Sequence, residues 1–127
     1  MQKFVFWTGV YNLIVGSVFL IPGSTNIFAI QAPDVMLWLW LPAILVIYLG
    51  ILLILCSRRL AERASLVFWE GIARIAVFVP LAWFGFFTDL GFMVGVIGVI
   101  DLLIGLGYIL GLPRALHIPA VDLFLDR

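Results

Sequence analysis

Histidine and cysteine are nearly missing from this chain: its 127 residues hold one of each, His117 and Cys56. A lone cysteine excludes an internal disulfide and any CxxC redox pair, and one histidine excludes a His-based metal site or a bis-histidine haem. Charge is also scarce. Only 11% of residues are charged and the net charge is zero, so the molecule presents no field that would draw nucleic acid. Nucleophile triads and glycine-rich phosphate loops are absent as well, and no catalytic residue is assigned.

Apolar residues are what the chain has, at 65% with a mean hydropathy of +1.28. A water-soluble domain of this size cannot hide so much oily surface, which makes lipid the solvent for most of the chain. Four windows match the roughly 20 helical residues that cross a hydrocarbon core: Phe4 to Ile21, Val35 to Cys56, Leu66 to Phe87 and Leu90 to Leu112. In lipid every backbone N–H and C=O must be paired inside its own segment, so the windows are helices. The predicted fold is all-α: one four-helix transmembrane domain over residues 1–112, followed by a cytoplasmic interfacial tail over 113–127 with Val121, Leu123 and Phe124 toward lipid.

The breaks between windows are PGSTNIFAIQAPD, SRRLAERAS and the tight Thr88-Asp89, and Asp34, Ser65 and Asp89 stand where an oxygen side chain caps a helix start. Lys3, Arg58, Arg59, Arg63, Arg114 and Arg127 all fall on one side of the predicted membrane, and the two opposite connections contain no Lys or Arg. The positive-inside rule then places both termini and the Arg-rich loop in the cytoplasm, in a cell inner (plasma) membrane. Trp7 and Trp69 near one boundary and Trp38, Trp40 and Trp83 near the other read as interfacial belts.

The chain also repeats itself. FWTGVYNLIV at Phe6 to Val15 returns 62 residues later as FWEGIARIAV at Phe68 to Val77, with Glu70 in place of Thr8 and Arg74 in place of Asn12. Gly50 to Arg59 overlays Gly105 to Arg114 at an offset of 55. Both copies run in the same direction, which predicts two parallel helical-hairpin repeats related by an axis along the membrane normal.

Counting about 1.5 Å per residue from the basic end puts Asn12, Tyr48 and Arg74 about 12 Å deep, Asp101 about 16 Å, and Glu70 and Tyr108 about 6 Å. Polar residues of all four helices thus share one layer. Glu70 and Arg74 are spaced for a helical ion pair, and Asp101 shares its face with Gly98 and Gly105, where another helix approaches closely. Facing lipid, a central Arg or Asp costs roughly 2.5 to 3.5 kcal/mol while each Leu, Ile, Phe or Val returns about 0.3 to 0.6. The third window sets twelve such apolar residues against Arg74 and Glu70, close to cancellation, so Arg74 needs an inward partner. The sequence therefore predicts Arg74 held between Glu70 and Asp101, with Asn12 and Tyr48 completing its hydrogen bonds. Two acids on one permanent cation leave an excess negative charge, so one of the acids is expected to take a proton near neutral pH.

The residues FWEGIAR and GVIDLLIGLGYILG, with the four crossings and the acid-plus-arginine start of a helix, resemble the DoxX-like group of small bacterial membrane proteins. The resemblance implies an accessory or quinone-related role beside a membrane redox system. The residues themselves suggest a binding module: a polar lining of Tyr48, Arg74, Asp101 and Tyr108 under an apolar roof suits a quinone or lipid headgroup, and the bundle can also dock on a larger membrane complex. Two other classes stay open. One is a proton-coupled small transporter, although such carriers place their acid in the first helix, where this chain has Thr8 and Asn12. The other is a membrane isomerase using Glu70 and Asp101 to move a proton, in which Arg74 would hold one acid ionised. A binding role is read ahead of an enzymatic one. The GxxxG pairs Gly91/Gly95 and Gly107/Gly111 allow either internal packing or a homo-oligomer.

Overall fold

A computed structural model describes residues 1–127 and is entirely helical. Four long helices, α1 (Gln2–Leu20), α3 (Leu37–Arg58), α4 (Leu60–Phe87) and α5 (Phe92–Leu116), are each long and apolar enough to cross a membrane. Two short ones, α2 (Ser24–Ile27) and α6 (Ala120–Leu125), lie at opposite ends. Only 26 of 127 residues are buried, and Leu, Ile, Phe and Trp side chains cover the outside. Water would not tolerate such a surface; a bilayer requires it. The chain is a multi-pass membrane bundle.

The helices associate as two hairpins, α1 with α3 and α4 with α5. Glycine sets both distances of approach. A Cβ on Gly50 would stand 2.7 Å from the carbonyl oxygen of Gly9, and one on Gly105 would stand 2.7 Å from that of Gly71. Backbone touches backbone at both places, the close packing that small residues permit where lipid removes the hydrophobic drive between helices. Between the hairpins the contact runs through longer side chains, concentrated at the end that carries the basic residues. There Val5, Leu53, Val67, Tyr108 and Leu112 form one buried core with Leu123 of α6.

Several expected boundaries moved. SRRLAERAS is not a loop: α3 runs to Arg58, α4 starts at Leu60, and Arg59 alone joins them. Leu, Ala, Glu and Arg are strong helix formers and the stretch lacks Gly and Pro, so helix resumes immediately after the single non-helical residue, Arg59 at φ −135° and ψ 57°. Ser65 consequently lies inside α4 and is no cap; its hydroxyl donates to the Leu123 carbonyl at 2.6 Å. Asp34 and Asp89 are not caps either. Met36 precedes α3 and Gly91 precedes α5, neither with a side-chain cap bond. In the tail, α5 continues through Pro113 to Leu116 and ends where His117 turns left-handed at φ 55°. Val121 and Phe124 stay exposed as expected, but Leu123 is only 4% exposed and belongs to the core. Trp69 fixes this arrangement, donating its indole N–H to the Phe124 carbonyl at 3.0 Å and stacking on the Phe124 ring.

At the opposite end the long connection folds over the bundle. The Gln31 N–H donates to the Leu90 carbonyl at 2.6 Å, tying the first hairpin's loop to the second hairpin's turn. Gly91 makes room for it: at φ 140° its backbone suits glycine, and a Cβ there would come within 2.7 Å of the Ala29 oxygen. Glycines of both GxxxG pairs are likewise spent inside the chain, Gly95 against Phe86, Gly107 against Phe4 and Gly111 against Met1.

Candidate functional site

Arg74 sits near the middle of α4 and its side chain is 6% exposed. Three residues on three helices surround the guanidinium. Glu70, one turn earlier on α4, brings Oε1 to 2.7 Å from Nε, an ion pair whose N–H is not aligned for a hydrogen bond. Asp101 of α5 accepts from Nη1 through Oδ1. Asn12 of α1 accepts from Nη2 at 2.8 Å. The Glu70 and Asp101 side chains are 12% and 17% exposed. A guanidinium cannot shed its charge, and its planar fork spreads nitrogens toward three separate oxygens, whereas a buried Lys is a point charge that loses its proton readily.

Tyr108 is fully buried but does not reach this cluster. Its hydroxyl pairs with Thr8 Oγ1, while the Thr8 hydroxyl donates to the Val5 carbonyl at 2.9 Å, which leaves Tyr108 as the donor of the pair. Thr8 was not singled out from the sequence; its only signal is that it takes the position of Glu70 in the repeat. Tyr48 falls outside the layer altogether. It lies at the expected depth on α3 but is 57% exposed, facing lipid. The helix α3 is apolar on all sides, so residue counting gives the depth of Tyr48 and nothing gives its face. The structure thus joins Asn12, Glu70, Arg74 and Asp101, sets Tyr108 beside them with Thr8, and leaves Tyr48 out.

The guanidinium of this layer is enclosed. Each nitrogen of Arg74 faces an oxygen of the chain, and Tyr108 is occupied by Thr8, so the expected headgroup lining of Tyr48, Arg74, Asp101 and Tyr108 does not form, while Glu70 Oε2 and the Tyr11 hydroxyl stay buried without a hydrogen-bond partner. What the layer can do chemically is bind the hairpins together: Asn12 belongs to one and Arg74 to the other, and separating them would strip Nη2 of its oxygen partner in a medium that offers no replacement, leaving Arg74 with the two acids of its own hairpin.

The open space lies toward the end without basic residues. A cleft of about 490 Å³ separates the hairpins there, inside the roughly 300–1,000 Å³ range of small-molecule sites. Phe19, Leu39 and Pro42 line it from the first hairpin, and Leu81, Val94 and Ile97 from the second. Gly16 and Ile97, each one helical turn from Asn12 and Asp101, mark its inner limit, and the strap from Ile30 to Asp34 borders its mouth beside Trp38. The core fills the basic half of the bundle and the cleft occupies the other. No protein-family model, curated protein or solved structure matches this chain.

Proposed function

We propose that this chain is an integral-membrane binding module: two repeated helical hairpins that hold one apolar small molecule, of the lipid or quinone class, in the cleft between them. The basic end, with Arg58, Arg59 and Arg63, faces the cytoplasm of a bacterial inner membrane, and the lipid-facing surface lets the bundle serve as an accessory subunit of a larger complex. The resemblance to the DoxX-like group agrees with that role.

The observation that carries the reading is the position of the cleft relative to the repeat. Contacts of one hairpin reproduce those of the other: Gly9 meets Gly50 and Ile54, and Gly71, 62 residues on, meets Gly105 and Ile109, each 55 residues on. Asn12 packs on Gly50 as Arg74 packs on Gly105. These correspondences support a two-fold relation between the hairpins, and a residue bonded to its own counterpart must lie on the axis. Asn12 and Arg74 are such a pair. Phe19 with Leu81, Leu39 with Val94 and Pro42 with Ile97 are three more pairs of counterparts, and all six line the cleft. The cleft therefore straddles the same axis, closed at one end by the polar layer. A cavity spanned by counterpart residues of two halves, floored by the polar layer and open toward one leaflet boundary, is suited to a ligand rather than left over from poor packing.

The test is to purify the protein from its own membrane, extract it with solvent and identify what comes off by mass spectrometry. One apolar species at about one copy per chain or per dimer is the expected result. Only bulk phospholipid, in the proportions of the surrounding membrane, would overturn the reading.

A further inference from the structure

We infer that the molecule held in the cleft is an amphiphile with a cationic head, an alkylamine or quaternary ammonium, and that Asp34 and Trp38 at the mouth recognise that head. The inference rests on the cleft being a binding site and adds the chemistry of what enters it.

Three observations point to a cation. First, Asp34 is the one charged residue among those lining the cleft; its carboxylate is exposed and forms no ion pair within the chain. Second, no compensating charge is available nearby, because both connections at this end lack Lys and Arg and contribute only Asp34 and Asp89. Third, Trp38 lines the same mouth with 66% of its surface free, offering an indole face of the kind that attracts alkylammonium groups. The deeper walls supplied by Phe19, Leu39, Leu81 and Ile97 accept an alkyl chain. A carboxylate is acceptor-only, so a quinone, whose head offers carbonyl oxygens and no donor, gains nothing from Asp34. A head carrying positive charge gains from both Asp34 and Trp38, and an anionic head is repelled. Of the two ligand classes proposed for the cleft, the charge at its rim selects a lipid-like amphiphile over a quinone.

The experiment uses the full chain in nanodiscs of digalactosyl-diacylglycerol, whose uncharged sugar head carries no ammonium to compete, and three probes with the same tail: decyltrimethylammonium, decanol and decanoate. Titration calorimetry gives each affinity after subtraction of empty nanodiscs. The cation is expected to bind about tenfold more tightly than the alcohol, the combined effect of one exposed ion pair and one cation–π contact, and decanoate more weakly than either. Asp34→Asn should remove the ion-pair share of that preference and leave the cation only about threefold above the alcohol through Trp38, and Asp34→Lys should invert the preference toward decanoate. Asp34 is exposed and makes no internal bond, so neither change touches packing. The double variant Val46→Phe, Val94→Phe narrows the cleft from both hairpins and should weaken all three probes together. If Asp34→Asn leaves the ratio of cation to alcohol unchanged while the narrowed variant loses all binding, the head-group inference fails and the cleft remains a site. If the narrowed variant, shown to be folded by circular dichroism, binds every probe like the wild type, or if the wild type binds none, the cleft reading fails and takes the inference with it.

Discussion

Replacing Arg74 by Leu removes the only cation inside the bundle and leaves Glu70 and Asp101, both largely buried, without a counter-charge. Breaking a buried pair by deleting one partner costs about 3–5 kcal/mol, because the remaining charge keeps its desolvation penalty and loses its compensation. Asn12 also loses its donor, since its Oδ1 accepts from Arg74. Replacing Asp101 by Leu is a different perturbation. Glu70 and Arg74 remain as a neutral pair, the repulsion between the two acids disappears, and the loss is that of one charged hydrogen bond, about 1.5–3 kcal/mol. Arg74→Leu should therefore be the more damaging single change. The double variant should cost less than the two single losses added together, because each single change already removes the contact they share. Reversible unfolding in mixed micelles of increasing SDS fraction, followed by circular dichroism, measures all three. If Arg74→Leu costs no more than Asp101→Leu, or if the two losses simply add, the guanidinium is solvated at a membrane boundary and the enclosed layer does not exist.

Two further outcomes follow from other parts of the bundle. Gly105→Ala places a methyl against the fixed Gly71 carbonyl and should cost about 1–3 kcal/mol in the same unfolding assay; Gly50→Ala, its counterpart against Gly9, should match it. Gly107→Ala meets only the Phe4 ring, 38% exposed and free to turn aside, so an equal loss there would refute the claim that backbone approach within each hairpin sets the packing. For orientation, Asp34→Cys and Arg59→Cys, each made in a Cys56→Ser background, place single thiols at two exposed positions on opposite ends. A membrane-impermeant maleimide should label the first on intact cells and the second only after permeabilisation, and the reverse pattern would overturn the assignment of the basic end to the cytoplasm.

The spans were legible because hydropathy over about 20 residues is a strong signal and lipid permits few alternatives to helix. Spacing located the layer: Glu70 and Arg74 four apart, Asp101 between two glycines, Asn12 in the repeat position of Arg74. Tyr48 shows where such counting stops. Depth comes from residue number, but facing requires an asymmetric helix, and α3 presents apolar residues all round. The expected caps failed for a related reason. Ser65 has the right chemistry, yet Leu60 and Ala61 begin a helix one and a half turns before it, and tertiary contact with Leu123 then claims its hydroxyl. The cleft could not be read from any one segment, because its walls come from residues as far apart in the chain as Phe19 and Leu81.

The single-residue joint at Arg59 has a bearing on biosynthesis. Everything before it, α1 and α3 with their glycine contact, is free of charge inside the membrane and can pair off while the rest is still being made. By the time Arg74 emerges, Glu70 has already preceded it on the same helix and Asn12 stands ready in a finished hairpin; only Asp101 is still to come. The costliest residue of the chain thus enters lipid accompanied, and late translation of α5 supplies the last clasp.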